Sequence, residues 1–303
     1  MGTPRFAVPI LDALASQYKI AAVVTQPDRR AGRGRSQVVP SPVKERALEL
    51  GLLVLQPSNL RDEAVVQTLH DLQPEVIVVA AFGQILRPSV LSLPPKGCIN
   101  VHASLLPRHR GPAPIPAAIL AGDRMTGVTI ILMDEGVDSG PILSQATHSI
   151  GPRDTTGTLT ASLAELGAEL LLKTLPRWLA GEITPQPQSM EGITYAPIIR
   201  KSDGMVDWTL PAIEIDRRVR AYTPWPGAYT YWQGRVLRLV QVTPRAGESP
   251  ALPGQVIRLK DGIGVGTGDG LVMLEIVQLA GKRAMDAEAF ARGQRDFIGS
   301  RLG

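Results

Sequence analysis

Apolar residues in the first 150 positions fall into two alternating patterns. Phe6 to Ser16 and Glu63 to Leu72 have helical spacing. Between and after them come short runs rich in valine and isoleucine: Ala21 to Val24, Leu52 to Leu55, Glu75 to Ala81 and Ile99 to Val101. Alternation of this kind predicts βαβ units around a parallel sheet. The run Val76 to Ala81 has no polar interruptions, which suits a central strand covered on both faces. Ser41-Pro42 reads as an N-cap followed by proline at the first helical position, opening a helix that Gly51 ends. Thr155 to Ala180 is the longest helical pattern, and from Thr184 to Gly204 proline, glycine and polar residues break any period. After a short helix near Ala212 to Ala221, strand-length segments with glycine turns follow at Ala228 to Trp232, Val236 to Val242, Gln255 to Leu259, Gly262 to Gly266 and Leu271 to Val277. These predict a small barrel. The expected fold class is therefore α/β: a doubly wound, mostly parallel sheet over residues 1–183, a linker over 184–204, and a C-terminal OB-like β-barrel over 205–303. One element is expected and not found. A sheet that opens with helix Phe6 to Ser16 needs a strand of about five apolar residues before it, yet only Met1-Gly2-Thr3-Pro4 stands there.

Length and composition fit this picture. A chain of 303 residues accommodates two domains. Its one cysteine, Cys98, excludes an internal disulfide framework and suits packing within a strand in a reducing compartment. No apolar run approaches the roughly 20 residues of a membrane span, and no basic segment followed by an apolar core opens the chain, so a cytoplasmic protein is expected. The net charge of +4 permits a polyanionic partner without requiring one. Residues 1–200 balance to +1 and 205–303 to +3, so the second half is the more cationic. The densest cluster lies early, however: Asp28-Arg29-Arg30-Ala31-Gly32-Arg33-Gly34-Arg35 interleaves four arginines with two glycines. Composition alone leaves it open between a solvated face and a binding loop.

The candidate chemistry is concentrated between Gly97 and Asp138. Cys98-Ile99-Asn100-Val101-His102 reads as a buried strand, so Asn100 and His102 point to one side. The strand runs into the turn Ala103-Ser104-Leu105-Leu106-Pro107, which puts the pair at a strand's C-terminal end, where open α/β sheets bind ligands. A second apolar strand, Thr126 to Met133, leads into Asp134-Glu135-Gly136-Val137-Asp138-Ser139-Gly140, a loop able to return a carboxylate to the same rim. These are the parts of an acyl-transfer site. Asn100 and His102 can donate to an oxygen that becomes negative, and Asp138 can hold His102 in its donor state and help move a proton. Each residue also has a plainer reading: Asp138 could cap its own loop, and His70, His109 and His148 read as structural histidines. No Gly-x-Gly-x-x-Gly follows an early strand and no cysteine or histidine group has zinc-site spacing, so neither a dinucleotide nor a metal is expected.

The segment Cys98 to Ile115, with Gly127-Val128-Thr129 and Asp134 to Gly140, closely resembles the folate-dependent formyltransferases. That resemblance implies 10-formyltetrahydrofolate as formyl donor and a catalytic set of Asn100, His102 and Asp138. It also implies a folate pocket at Ser104, Leu105, Leu106, Pro107, Gly111 and Pro112. Further motifs resemble the methionyl-tRNA formyltransferase family: Gly2-Thr3-Pro4-Arg5-Phe6-Ala7, Thr25 to Arg29, Ala31 to Gly34, Pro40 to Lys44, Thr194-Tyr195-Ala196-Pro197, Val206-Asp207-Trp208, Pro224 to Gly227 and Pro253-Gly254. In that family the arginine-rich loop enters the acceptor end of charged initiator methionyl-tRNA. The resemblance puts the principal basic residue at Arg33, supported by Arg29, Arg30, Arg35 and Lys44, and the chain is expected to act as a monomer. Arginines can pair bidentately with phosphates and stack on unpaired bases. The loop Pro27 to Val39 is expected to be disordered without tRNA. His109 and Pro112 depart from the family pattern and could alter donor affinity. The alternatives are a formyltransferase acting on glycinamide ribonucleotide or an amino sugar, a formyl-folate hydrolase, and a non-catalytic tRNA-binding module.

Overall fold

The structure is a computed structural model, and it describes residues 1–31 and 37–303. Local signals account for its helices. Ser41 Oγ accepts the Lys44 N–H at 3.0 Å and starts α2, with proline at the first helical position. Asp62 caps α3 through the Ala64 N–H. The chain divides into two compact units, Met1–Pro114 with Met125–Ser149 and Thr160–Pro197, and Ile115–Arg124 with Ile150–Leu159 and Ile198–Gly303.

In the first unit the elements run α1 (Ala7–Gln17), β1 (Val23–Val24), β2 (Arg29–Ala31), β3 (Gln37–Val39), α2 (Pro42–Glu49), β4 (Val54–Leu55), α3 (Glu63–Asp71), β5 (Ile77–Val79), α4 (Pro88–Leu91) and β6 (Cys98–His102). The chain then passes through α5 (Pro114–Ala121), all but its first residue in the second unit, and returns as β7 (Met125–Leu132), β8 (Ile142–Ser149) and α6 (Thr156–Leu179), whose first turn also falls in the second unit. β5 and β6 pair in parallel, and β7 and β8 extend the sheet antiparallel, in the order β5-β6-β7-β8. β1 and β4 form a separate parallel pair. All five residues of β6 are buried, and Cys98, Ile77, Val79, Leu69 and Val90 share an apolar cluster. Burial pushes the Cys98 thiol up to about 12, consistent with a packing role. The flanks of the arginine-rich segment are ordered, against expectation: β2 and β3 pair as an antiparallel hairpin with Arg29 opposite Val39.

Between β1 and β5 the sheet is nearly interrupted. The Gly2 N–H donates to Val24 O at 3.0 Å, the Ala80 N–H donates to Met1 O at 2.9 Å, and the Met1 amine donates to Val78 O at 2.6 Å. Met1 and Gly2 thus stand where the expected opening strand would lie, one bridge long. Beside them is a cavity of about 360 Å³ lined by apolar side chains that include Leu14, Ile20, Leu72, Leu175 and Leu179.

In the second unit α7 (Ala212–Ala221) precedes β9 (Ala228–Trp232), β10 (Arg235–Arg245), β11 (Val256–Leu259), β12 (Gly262–Gly266), β13 (Leu271–Leu279), β14 (Met285–Asp286) and α8 (Ala287–Gly293). The antiparallel order is β11-β12-β13-β10-β9, with β14 on β13. Among the described residues no ladder joins β9 to β11. Instead the last residues span the two edges: the Leu302 N–H donates to Gly254 O and the Val256 N–H to Ser300 O, while the Gly303 N–H donates to Tyr231 O at 3.1 Å. The curl needed for that contact is barrel-like. Trp232, Phe290 and Phe297 fill its core edge to face, with ring centroids 4.9 to 5.6 Å apart.

Candidate active site

β6 delivers Asn100 and His102 to one side, as strand alternation requires, and both are buried. The loop after β7 brings Asp138 to them across 38 residues of sequence. Asn100 Nδ2 donates to Asp138 Oδ1 at 3.0 Å, and the Gly111 N–H donates to Oδ2 at 2.8 Å. His102 Nδ1 stands 3.5 Å from the same Oδ2. The carboxylate is 16% exposed, so its charge is held mostly by these neighbours and not by water. Asp138 itself has φ +48°, a left-handed backbone that costs energy in a residue with a Cβ, of order 1 kcal/mol or more. The sequence-predicted trio is therefore brought together.

The other ring nitrogen decides the tautomer. His102 Nε2 lies 2.9 Å from the carbonyl of His109, which can only accept, so Nε2 carries a hydrogen. Nδ1 is left to face Asp138, and a further proton reaching the pair would lie between them. His109 contributes through its backbone: its N–H donates to Thr194 Oγ1 at 2.8 Å and its φ is +59°. The Arg110 N–H donates to Thr194 O and the Ala196 N–H to Arg110 O, so the stretch 194–196 runs alongside the loop. At Gly111, φ is +109° and an added Cβ would meet Ala196 O at 2.9 Å; glycine is required there.

The residues expected at the folate pocket form the neighbouring turn. Ser104 is fully buried, and its Oγ donates to Arg108 O at 2.7 Å. Thr129 Oγ1 donates to Ser104 O and accepts the Leu106 N–H at 3.1 Å, and Gln145 Nε2 donates to Leu106 O. Ser104 and Leu106 therefore shape the turn from within. Leu105, Pro107 and Gly111 are half-buried and Pro112 is exposed, so these offer surface to a ligand. Among the described residues no group of three or more His, Cys, Asp or Glu could hold a metal ion, and no helix is long and apolar enough to cross a membrane.

Of the expected tRNA contacts, Arg29 is exposed on β2 and Arg30 is its neighbour in the hairpin, whereas Arg33 and Arg35 lie outside the described residues. Lys44 is engaged: its Nζ donates to Asp28 Oδ2 at 2.6 Å. That ammonium and then Gln56 hold the Asp28 carboxyl below the usual carboxylate range. Sequence reasoning missed Gln188, Arg110 as a side chain, and the N–H of Gly111. Gln188 lies in the stretch read as linker, and nothing in its local pattern points to the loop after β7.

A carboxylate bound to an amide and an imidazole at the end of a parallel strand is an arrangement suited to acyl transfer. The chain belongs to the formyl transferase family: the family model "Formyl transferase" matches residues 1–175, and "Formyl transferase, C-terminal domain" matches 198–295. Its relatives are similar from end to end. It is 48% identical to the methionyl-tRNA formyltransferase of Roseiflexus castenholzii over 306 residues, covering 100% of this chain and 97% of that protein. It is 47% identical to that of Myxococcus xanthus, covering 99% and 96%. Among solved structures, an N-formyltransferase from Helicobacter canadensis in complex with folinic acid and dTDP-3-aminofucose superposes with a TM-score of 0.64 at 17% identity, covering 93% of this chain and 97% of that one. That likeness shows the fold alone.

Proposed function

We propose that this chain transfers the formyl group of 10-formyltetrahydrofolate to the α-amino group of methionyl initiator tRNA. The observation that carries the reading is the Asp138 carboxylate held between Asn100 and His102, in a chain 48% identical over its full length to an enzyme of that name. An attacking amine drives negative charge onto the formyl oxygen. Asn100 gives one amide hydrogen to Asp138, and the same nitrogen carries a second that can meet that oxygen. His102, whose Nε2 hydrogen is committed to the His109 carbonyl, adds a donor at Nδ1 when the ring takes up a second proton. A donor placed this way is worth about 3 to 4 kcal/mol. Asp138, next to Nδ1, is the group to receive the amine's proton. An α-amino group titrates near 7.7 to 8.0, so a share is neutral at physiological pH and the proton transfer is not demanding.

Half-buried Leu105 and Pro107 with exposed Pro112 give the donor an apolar rim beside the trio. The arginines of the β2–β3 segment, Arg29, Arg30, Arg33 and Arg35, are the groups to meet the acceptor end of the tRNA, with Lys44 behind them, and the second unit's excess of positive charge supports the rest. On this reading the protein works in the cytoplasm in translation initiation, as a monomer. The test is transfer of labelled formyl from 10-formyltetrahydrofolate to charged initiator methionyl-tRNA, with uncharged tRNA and free methionine as controls. Transfer to the charged tRNA alone is expected, with affinity for it falling steeply as salt rises. Folate turnover without a tRNA product overturns the assigned acceptor.

A further inference from the structure

We infer that Gln188, held by Arg110, is a positioning residue that fixes the loop carrying Asp138. Gln188 Nε2 donates to Asp138 O and to Gly140 O, each at 2.8 Å, and so spans the loop just where Asp138 takes its left-handed conformation. Its Oε1 accepts from Arg110 Nε at 3.1 Å and from Nη2 at 2.7 Å. The amide is thus saturated on both ends, two donations one way and two acceptances the other. Arg110 is buried, and its neighbour Gly111 gives its N–H to the Asp138 carboxylate. One short segment, 110–111, therefore grips Asp138 twice: through Gly111 at the side chain and through Arg110 and Gln188 at the backbone.

The chemistry of the amide matters, and not only its size. A carboxylate at this position would pair with Arg110 but could not donate to two carbonyls. An apolar side chain of the same length would leave both carbonyls and the buried guanidinium unsatisfied. With the clamp gone, the strained φ of Asp138 has less to hold it, and the carboxylate drifts from Asn100 and from His102 Nδ1. A misplacement of about 1 Å in such a set costs on the order of 100-fold in rate.

This inference rests on the formyl-transfer reading for its kinetic arm but not for its spectroscopic one. Gln188→Met and Gln188→Glu are compared with the parent chain by steady-state formyl transfer, by thermal melting, and by ¹⁵N NMR titration of histidine-labelled protein. The charged and titratable residues that the structure ties to the His102–Asp138 pair are His109, whose carbonyl meets His102 Nε2, and Arg110, which reaches the Asp138 loop through Gln188. A His109→Gln background identifies the His102 signal among the chain's four histidines. Both variants are expected to lose roughly 10- to 100-fold in kcat with KM for tRNA and folate changed by less than about 3-fold. The His102 titration is expected to shift in both, and Gln188→Glu to melt close to the parent because its pairing with Arg110 survives. Parent-like kcat and a parent-like His102 titration in Gln188→Glu would overturn the inference, since that variant keeps only the Arg110 contact. So would a loss of activity matched by a loss of melting temperature with the His102 titration unmoved, which is the signature of a merely structural role. If the parent transfers no formyl group, the functional reading fails while the His102 titration still decides the clamp.

Discussion

The two ends of the first unit's sheet are built to different standards. At the end of β6 the polar groups are over-determined. Asp138 takes an amide hydrogen from Asn100 and a backbone hydrogen from Gly111, its carbonyl takes another from Gln188, and His102 spends Nε2 on the His109 carbonyl. At the other end, β1 and β5 are linked through Met1 and Gly2, by three hydrogen bonds and one bridge at Gly2, next to a cavity of about 360 Å³. Changes at the first place should therefore alter rate more than stability, and changes at the second should alter stability more than rate.

The largest expected effect is at the well-built end. Asn100→Ala removes an oxyanion donor and one of the two hydrogen bonds to the Asp138 carboxylate, so kcat should fall about 100- to 1,000-fold, or roughly 3 to 4 kcal/mol. Melting should change by the equivalent of only about 1 kcal/mol, the net worth of an ordinary hydrogen bond. Single-turnover formyl transfer and calorimetry on the same preparation test the contrast. A fall in stability as large as the fall in rate would break it.

The next effect probes the other end. Fusing five residues such as Val-Ile-Val-Ile-Leu ahead of Met1 offers β1 and β5 a strand to pair with and apolar side chains for the cavity. Each side chain fully buried is worth about 1.5 to 3 kcal/mol, against about 1 to 2 kcal/mol to order each residue's backbone. The net gain should be on the order of 3 kcal/mol, which at about 2 to 4 °C per kcal/mol for a domain this size raises the melting temperature by several degrees. kcat should stay within about 2-fold. A lower melting temperature would show that the gap does not take a strand.

How much of this could be read before the structure depended on where each signal is encoded. Ala212 to Ala221 and Gly262 to Gly266 were legible to the residue because an amphipathic period or a glycine turn lies within the segment itself. Asn100, His102 and Asp138 could be singled out as candidates because strand alternation and an isolated acidic loop mark them locally, and it is the resemblance to the folate-dependent formyltransferases that names them as a set. β8, Ile142–Ser149, was passed over: its polar residues alternate with buried or half-buried ones on an edge strand, a pattern easily lost among threonines and serines. α5 was hidden by its prolines at 114 and 116. Gln188 was illegible in principle, since its role is created by a contact with Asp138, 50 residues away. The pairing of Arg29–Ala31 with Gln37–Val39 was missed because the arginines and glycines between them read as a mobile loop, while only two β-branched residues, Val38 and Val39, mark the second strand.

The smallest effect is also the most specific to the underfilled end. Burial disfavours the charged form of the Met1 amine and lowers its pKa from 8.0 to about 6. In the unfolded chain the amine binds its proton below about 8, and in the folded chain only below about 6. Within that window the unfolded state holds more protons, so stability rises with pH. The contribution is complete above pH 8 and lost below pH 6, and two units correspond to roughly 2 to 3 kcal/mol. Urea unfolding of the chain beginning at Met1 should show this rise between pH 6 and 8. The chain carrying the five-residue extension should lose it, because its amine is carried away from Val78 O. A pH dependence unchanged by the extension would mean that the titrating group lies elsewhere, with the histidines of the β6 corner the first to examine.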